Sequence, residues 1–147
     1  MASLVYNEAK GFFADGTVDW DTDDIRVALL MTDTTADTQN DDVHDLADFT
    51  TLDECDATGY ARVALASEAV NIDDGNDRDE LDATNASFTG LSGDATRDIQ
   101  GALVFKYVDG TAANDLAIAF IDFTADIPKT ATQIDVPWDA QGILQLA

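Results

Sequence analysis

An apolar segment from Gly101 to Phe123 constrains the fold more than any other part of the chain, because it has the pattern of two strands joined by a polar turn. Asp109-Gly110 favours the turn, and Leu116 opens the second strand. Apolar side chains occupy both alternating faces of each strand; in the first these are Leu103, Phe105 and Tyr107, and Ala102, Val104 and Val108. Such strands lie in the middle of a covered sheet, or have one face covered by a partner chain. We therefore predict that this hairpin is the centre of the core.

The rest of the sequence predicts a single all-β domain spanning residues 1–147. A chain of 147 residues with 46% hydrophobic content suffices for one buried core, and neither a repeat nor a linker interrupts it. About seven strand-like stretches alternate with turn residues, which indicates a β-sandwich or a jelly-roll-like fold. We also expect a short helix from Ala2 to Phe13 and one or two helical turns in loops.

Five strands are predicted outside the hairpin. They span residues 25–31, 60–72, 81–92, 133–139 and 142–147, with Ile134, Val136 and Trp138 pointing inward in the fourth. The connection from Thr32 to Thr58 is polar and unusually long, which makes it a candidate contact loop. Its apolar residues recur every three positions, as in a helical turn docked on the core: Val43, Leu46, Phe49 and Leu52.

The chain is strongly acidic, with thirty Asp and Glu against seven Lys and Arg and a formal net charge of -23. Asp residues are spread from Asp15 to Asp139 rather than gathered in a tail. Such a surface repels itself at ordinary ionic strength, whereas molar salt shortens the screening length to ~3 Å. We predict adaptation to concentrated salt; the alternative is a surface that meets a basic partner. Without a basic patch to neutralise phosphates, the composition excludes nucleic-acid binding.

Nothing in the sequence predicts export or membrane insertion. The apolar runs are shorter than the ~20 residues that a membrane helix needs, and no leader-like pattern opens the chain. The single Cys55 excludes an internal disulfide. We expect a soluble protein that is made in a cytoplasm.

His44 is the first candidate for a functional side chain. Four acids lie near it in the sequence, and a His among carboxylates can belong to a metal site or to an acid-base pair. In so Asp-rich a chain, composition alone also produces such neighbours, and we assign His44 no role. The four acids are Asp41, Asp42, Asp45 and Asp48.

Cys55 is the second such residue. It follows Asp53 and Glu54, whose negative field raises the pKa of a thiol and disfavours the reactive thiolate. The common catalytic and phosphate-binding motifs are absent from the sequence. We therefore predict no catalytic residues and no cofactor.

Calcium is the only metal that the sequence brings into consideration, because hard oxygen ligands crowd one predicted turn. These are Asp73, Asp74, Asn76, Asp77 and Asp79. Their spacing differs from that of an EF-hand loop, so we interpret the stretch as the solvated tip of a hairpin. The same interpretation covers Asp33, Asp37, Asp41 and Asp42, and no metal site is predicted.

The order of these segments resembles a family of small virion proteins encoded by tailed viruses of bacteria and archaea. Six stretches spread over nearly the whole chain carry the resemblance: DWDTDDIRVALL, VHDLADF, TGYARVAL, LDATNASFTGLS, GALVFKYVDGTAANDLAIAFIDF and PWDAQGILQL. They are similar, in that order, to the family's early Asp-Trp stretch, its loop with a His and an acid, its Gly-Tyr strand start, its Asp-Ala strand, its hairpin and its closing strand. The chain departs from the family in its Asp content and at Phe105 and Tyr107.

The resemblance implies a structural protein of the virus particle with no enzymatic role, assembled in the host cytoplasm. We rank first a capsid-surface decoration, turret or head-fibre subunit bound to the major capsid protein. A tail or receptor-contacting fibre component ranks second. A free enzyme or a calcium-dependent carbohydrate-binding module ranks below both, because the sequence shows no site for either.

The apolar strands also predict self-association. Gly101–Phe123 and Ile134–Trp138 offer more apolar faces than one small interior consumes, so we expect part of the hairpin to be buried against other copies. A homotrimer is our first expectation and a pentamer the second. The acidic loops from Asp33 to Asp56 and from Asp73 to Glu80 are expected to face solvent.

Overall fold

The computed structural model of the chain describes residues 2–40 and 42–146, which form one helix and ten strands. The structure is mostly β, which confirms the predicted β fold, although it has ten strands rather than about seven. The elements are β1 (Ala2–Val5), α1 (Asn7–Asp15), β2 (Ile25–Met31), β3 (Val63–Ala64), β4 (Ala69–Asp73), β5 (Arg78–Asp82), β6 (Ala86–Thr89), β7 (Ile99–Lys106), β8 (Leu116–Ile127), β9 (Gln133–Val136) and β10 (Leu144–Leu146).

The strands form three sheets in which every neighbouring pair is antiparallel. The largest sheet has five strands in the order β1-β8-β7-β2-β3. A three-stranded sheet has the order β10-β5-β4, and β6 pairs with β9 in a separate ribbon. The central position of β7 and β8 follows from their apolar sequence, because only a strand covered on both faces buries two apolar rows.

The predicted central hairpin is confirmed as the strand pair β7–β8. Leu103, Phe105 and Phe120 are fully or almost fully buried, and so are the residues between them on the opposite face. Gly101 lies at an irregularity in the pairing of β7 with β8, and no larger residue fits there, because a Cβ at this position would collide with the Phe120 ring. From Gly101 to Phe105 and from Ala117 to Ile121, one chain covers both faces of the hairpin, so these apolar residues need no second copy to cover them.

Different parts of the chain cover the two faces of the five-stranded sheet. On the face that carries Val5 and Ile121, the C-terminal segment packs closely, with Ile143 lining a cleft beside them. On the opposite face, the Arg62 guanidinium lies 5.0 Å from the centre of the Phe105 ring. The long connection between β2 and β3 therefore covers this second face of the five-stranded sheet.

This connection is held by the predicted anchors without forming a helix among its described residues. Val43, Leu46 and Phe49 are buried, and Leu52 packs against the core. The Tyr6 ring meets Phe49 edge-on at 5.4 Å. The expected helical turns are present only as hydrogen-bonded turns, since the acid-rich, Thr-rich sequence bonds its own side chains to the backbone.

The predicted helix from Ala2 to Phe13 is corrected, because its first part is the edge strand β1. This strand pairs with β8, and the Tyr6 N–H donates to the Ile118 carbonyl at its end. The exposed edge of β8 needs a partner for its backbone groups, and helical periodicity in the sequence does not reveal that need. The helix α1 begins at Asn7 and extends to Asp15.

Two predicted long strands are each divided between two sheets, which accounts for most of the additional strands. The stretch from Tyr60 to Ile72 becomes β3 and β4, separated near Ser67, whose φ of 59° is incompatible with a continuous strand. The stretch from Leu81 to Ser92 becomes the end of β5 followed by β6. The two breaks lie together, since the Thr84 N–H donates to the Ala66 carbonyl.

Candidate functional site

The most site-like group of polar side chains is a network of four residues that we call the Arg62 network: Glu54, Tyr60, Arg62 and Asp115. The Arg62 guanidinium makes a two-pronged contact with the Glu54 carboxylate, at 2.9 Å and 2.8 Å. The Tyr60 hydroxyl donates to the same carboxylate at 2.8 Å and accepts the Leu29 N–H at 3.1 Å. The bond from Leu29 to Tyr60 satisfies a backbone N–H on the outer edge of β2, beyond the residues that pair with β3.

Asp115 forms the deep end of the Arg62 network and is 0% exposed. Its Oδ2 lies 3.3 Å from Arg62 Nη1, and its Oδ1 accepts the backbone N–H groups of Val108, Asp109 and Gly110. A buried carboxylate is tolerated only with such partners. Asp115 therefore shapes the turn of the central hairpin and joins it to the long connection.

The Arg62 network is arranged to hold structure rather than to move protons. Hydrogen bonding to Glu54 raises the pKa of Arg62, and burial together with Glu54 raises the pKa of Tyr60. Arg62 therefore stays charged and Tyr60 stays a protonated donor at neutral pH. Each carboxylate oxygen of Glu54 and Asp115 already accepts a hydrogen bond.

His44 is exposed, and its ring packs edge-on against Phe12 at 5.0 Å. Its Nδ1 lies 3.7 Å from Asp45 Oδ2, while the Asp48 carboxylate accepts the backbone N–H groups of His44 and Asp45. Asp41 lies outside the described residues. Asp48 thus serves the loop backbone, and the imidazole serves packing.

Cys55 is buried beside β2, where its N–H donates to the Leu29 carbonyl. Burial, followed by the charges of Asp56 and Glu54, raises the pKa of its thiol. The predicted direction is confirmed, although desolvation is a larger cause than the predicted negative field. The thiolate that a reactive cysteine requires is disfavoured.

The acidic stretch from Asp73 to Glu80 forms a hairpin tip between β4 and β5, with its second strand starting at Arg78. The Asp73 carboxylate accepts bonds from the Gly75 N–H and the Asn76 side chain, and lies 3.4 Å from Arg78. In the described ranges, no group of three or more His, Cys, Asp or Glu is placed to hold a metal ion.

Other acids of the predicted loops also bond within the protein. Asp33 pairs with Arg97 at 2.7 Å, and Asp37 accepts the Gln100 side-chain amide at 3.0 Å. These contacts tie the long connection to the start of β7 and to the residues just before it.

Sequence reasoning missed a reciprocal pair of Asp-Ala-Thr tripeptides, which we call the DAT clamp. The Asp94 carboxylate accepts the Thr58 N–H and hydroxyl at 2.8 Å and 2.7 Å. The Asp56 carboxylate accepts the same two groups of Thr96 at 2.9 Å and 2.8 Å. The tripeptide occurs three times, at 56–58, 82–84 and 94–96, so the repeat was a signal, but only the structure shows that the first and third copies bond each other.

Few of the cations are available to a partner. Among the described residues, five of the seven Lys and Arg form ion pairs with acids: Arg26, Arg62, Arg78, Arg97 and Lys106. The surface is consequently acidic in character, as the composition predicts.

Two surface features could receive a partner. One is a cleft of about 410 Å³ beside β10, lined by Val5, Ile121, Trp138, Asp139, Gly142, Ile143 and Gln145. The other is the edge of β4, where Val70 is 46% exposed and Ile72 is 75% exposed. Val108, which is 52% exposed, lies apart from both, in the hairpin turn.

No protein-family model, curated protein or solved structure matched the chain. Across residues 2–40 and 42–146, no helix has the length and apolar character needed to cross a membrane. Inference about function therefore rests on the chain's own residues.

Proposed function

We propose that the chain is a non-enzymatic structural subunit of a tailed-virus particle. It stands on the capsid surface as a decoration, turret or head-fibre subunit, bound to the major capsid protein. The resemblance of six sequence segments to small virion proteins supports this role. The structural observation that favours it most is the exposed apolar edge of β4, because such an edge suits assembly better than it suits small-molecule chemistry.

We further propose that the fold is a sandwich of jelly-roll-like character. The five-stranded sheet would form one layer, and the two smaller sheets would form the other. The burial of Leu81 and Leu144, on the inward side of the three-stranded sheet, supports this arrangement. So does the bond from the Leu65 N–H to the Ile25 carbonyl, which joins the chain to β2 just before it enters β4.

The protein is also proposed to work in concentrated salt. The net charge of -23 supports this, as does the engagement of most cations in internal ion pairs. At molar ionic strength the repulsion between exposed carboxylates is screened within ~3 Å.

Mass spectrometry of purified particles tests the virion role. A copy number in a fixed ratio to the major capsid protein would support the capsid-surface proposal. A few copies per particle would instead favour the tail or receptor-contacting fibre. Recovery of the protein only from the lysed host, with none in particles, would contradict both.

A calcium-dependent carbohydrate-binding role is the third candidate, ranked below the tail or receptor-contacting fibre. The cleft beside β10 supports it, because it combines a half-buried Trp138 with the polar Asp139 and Gln145. Titration calorimetry with a panel of oligosaccharides tests it. Binding that is lost in Trp138→Ala but kept in Val108→Ala would favour this candidate over the first.

A further inference from the structure

We propose that two copies of this chain pair through their β4 strands, antiparallel, across a two-fold axis that passes through Asn71. The pairing would join two three-stranded sheets into one six-stranded sheet. It goes beyond the virion role and does not depend on it, because it is a property of the free protein.

The outer edge of β4 is available for pairing. Among the residues that the structure describes, β4 is the last strand of its sheet and pairs only with β5. Natural proteins protect such edges with charges, bulges or a covering segment. Here residues 69–72 are Ala-Val-Asn-Ile, an uncharged run in a chain with thirty acids, and two large apolar side chains of the run are exposed.

The sequence of β4 is complementary to itself when two copies run antiparallel about Asn71. Val70 then lies opposite Ile72 of the second copy on one face, and Ala69 lies opposite Asp73 on the other. Apolar cross-strand pairs of this kind stabilise a sheet. Asp73, the only acid in the strand, faces no like charge and is already paired with Arg78.

Charge sets the condition under which the pair forms. Glu68 and Asp74 flank the strand and would face each other between copies, and both protomers carry a net charge of -23. Molar salt screens this repulsion, so the pairing is expected there and weakens as salt is diluted.

The other exposed or apolar parts of the chain fit a second copy less well. The central hairpin is buried on both faces within one chain from Gly101 to Phe105 and from Ala117 to Ile121. Val108 lies in a turn that presents no strand edge. A two-fold contact also closes on itself, so edge pairing through β4 gives a finite assembly rather than a growing fibre.

Light scattering coupled to size-exclusion chromatography in molar salt tests the proposal. The parent is expected at twice the 15.7 kDa mass of the chain. Ile72→Asp should weaken self-association by on the order of tenfold or more. Val108→Asp, a matched change at an exposed site outside β4, should leave the mass unchanged.

A cysteine placed on the proposed axis tests the register. Asn71→Cys should form a covalent dimer on mild oxidation, because paired antiparallel residues bring their Cα atoms to about 4.5 to 5.5 Å. Val108→Cys should not, and the buried Cys55 keeps the parent unlinked. A monomeric parent, a trimeric mass, or cross-linking at Val108 but not at Asn71 would overturn the proposal.

Discussion

Two antiparallel hairpins in the described part of the chain, β7–β8 and β4–β5, differ in where their apolar side chains lie. In β7–β8, both faces are buried under other parts of the same chain from Gly101 to Phe105 and from Ala117 to Ile121. In β4–β5, the strand β4 leaves its three middle residues exposed, and acids surround its tip. The difference shows how one domain reconciles a net charge of -23 with a stable core. The charges lie on the periphery, and the middle of the five-stranded sheet contains almost none.

The comparison also separates residues that hold the fold from residues that are available to partners. A hairpin covered on two faces opens only when the whole domain unfolds, whereas a peripheral hairpin can change without global unfolding. Substitutions in β7–β8 should therefore act on stability. Those in β4 should act on association.

The largest effect is expected from Phe105→Ala in β7. Phe105 is fully buried, and truncating such a ring leaves a cavity and costs about 3 to 5 kcal/mol in the free energy of unfolding. Denaturant unfolding in molar salt measures the loss. The matched control is Ile72→Ala, which should change stability by less than about 1 kcal/mol. Equal losses at both sites would remove the distinction between the two hairpins.

The next largest effect is expected from Arg62→Met, which breaks the Arg62 network. The change leaves the buried Asp115 carboxylate without its cation and should cost about 2 to 3 kcal/mol. Arg26→Met is the control, since Arg26 pairs with the exposed Asp24 and should cost less than about 1 kcal/mol. If Arg62→Met matched this control, the network would not join the connection to the hairpin turn.

Salt should have a smaller but general effect, because it acts on the charged periphery and not on the core. Dilution from molar to roughly 0.1 M monovalent salt lengthens the screening distance to ~10 Å. We expect Tm to fall by roughly 5 to 10 °C, or about 2 kcal/mol. Thermal melting followed by circular dichroism measures this, and an unchanged melting curve would contradict adaptation to concentrated salt.

The smallest effect is expected at the DAT clamp, in molar salt where repulsion is screened. Bonds from Thr58 lower the pKa of Asp94, the side-chain bond first, and bonds from Thr96 lower the pKa of Asp56, the backbone bond first. Carboxyls with a lowered folded pKa contribute stability that is present above the ordinary value of about 3.9 and is lost as pH falls through the folded value.

The acid dependence of melting tests this clamp. The parent should lose Tm as pH falls below about 3.9, and the double variant Thr58→Val, Thr96→Val should lose less, since only backbone bonds to the two carboxylates remain. The same slope in both proteins would show that the threonine hydroxyls do not affect the titration of Asp56 and Asp94.

Elements defined by local alternation were predictable from the sequence. The strand β2 has the predicted bounds, the central hairpin is present, and Ile134 and Val136 point inward. A period-two pattern suffices to predict these strands, because the apolar residues of a strand themselves show which of its faces are buried.

Features that depend on distant residues were not predictable. The stretch that is divided at Ser67 pairs with one sheet before this residue and with another after it. Strand β1 forms by pairing with the otherwise open edge of β8. Asp115 resembles any other Asp of a turn in this chain, and only its burial beside Arg62, 53 positions away in sequence, distinguishes it. Long-range contacts of this kind leave no local pattern.

Hydrogen exchange of the two hairpins tests the account most directly. In molar salt, the β7–β8 amides, such as those of Leu103 and Ile118, should exchange only through global unfolding and at a rate independent of protein concentration. The outward amides of β4 should exchange fast in dilute protein and slow down as concentration rises and copies pair. The account would be contradicted if the β7–β8 amides exchanged as fast as those of β4, or if the exchange rate of the β4 amides did not change with protein concentration.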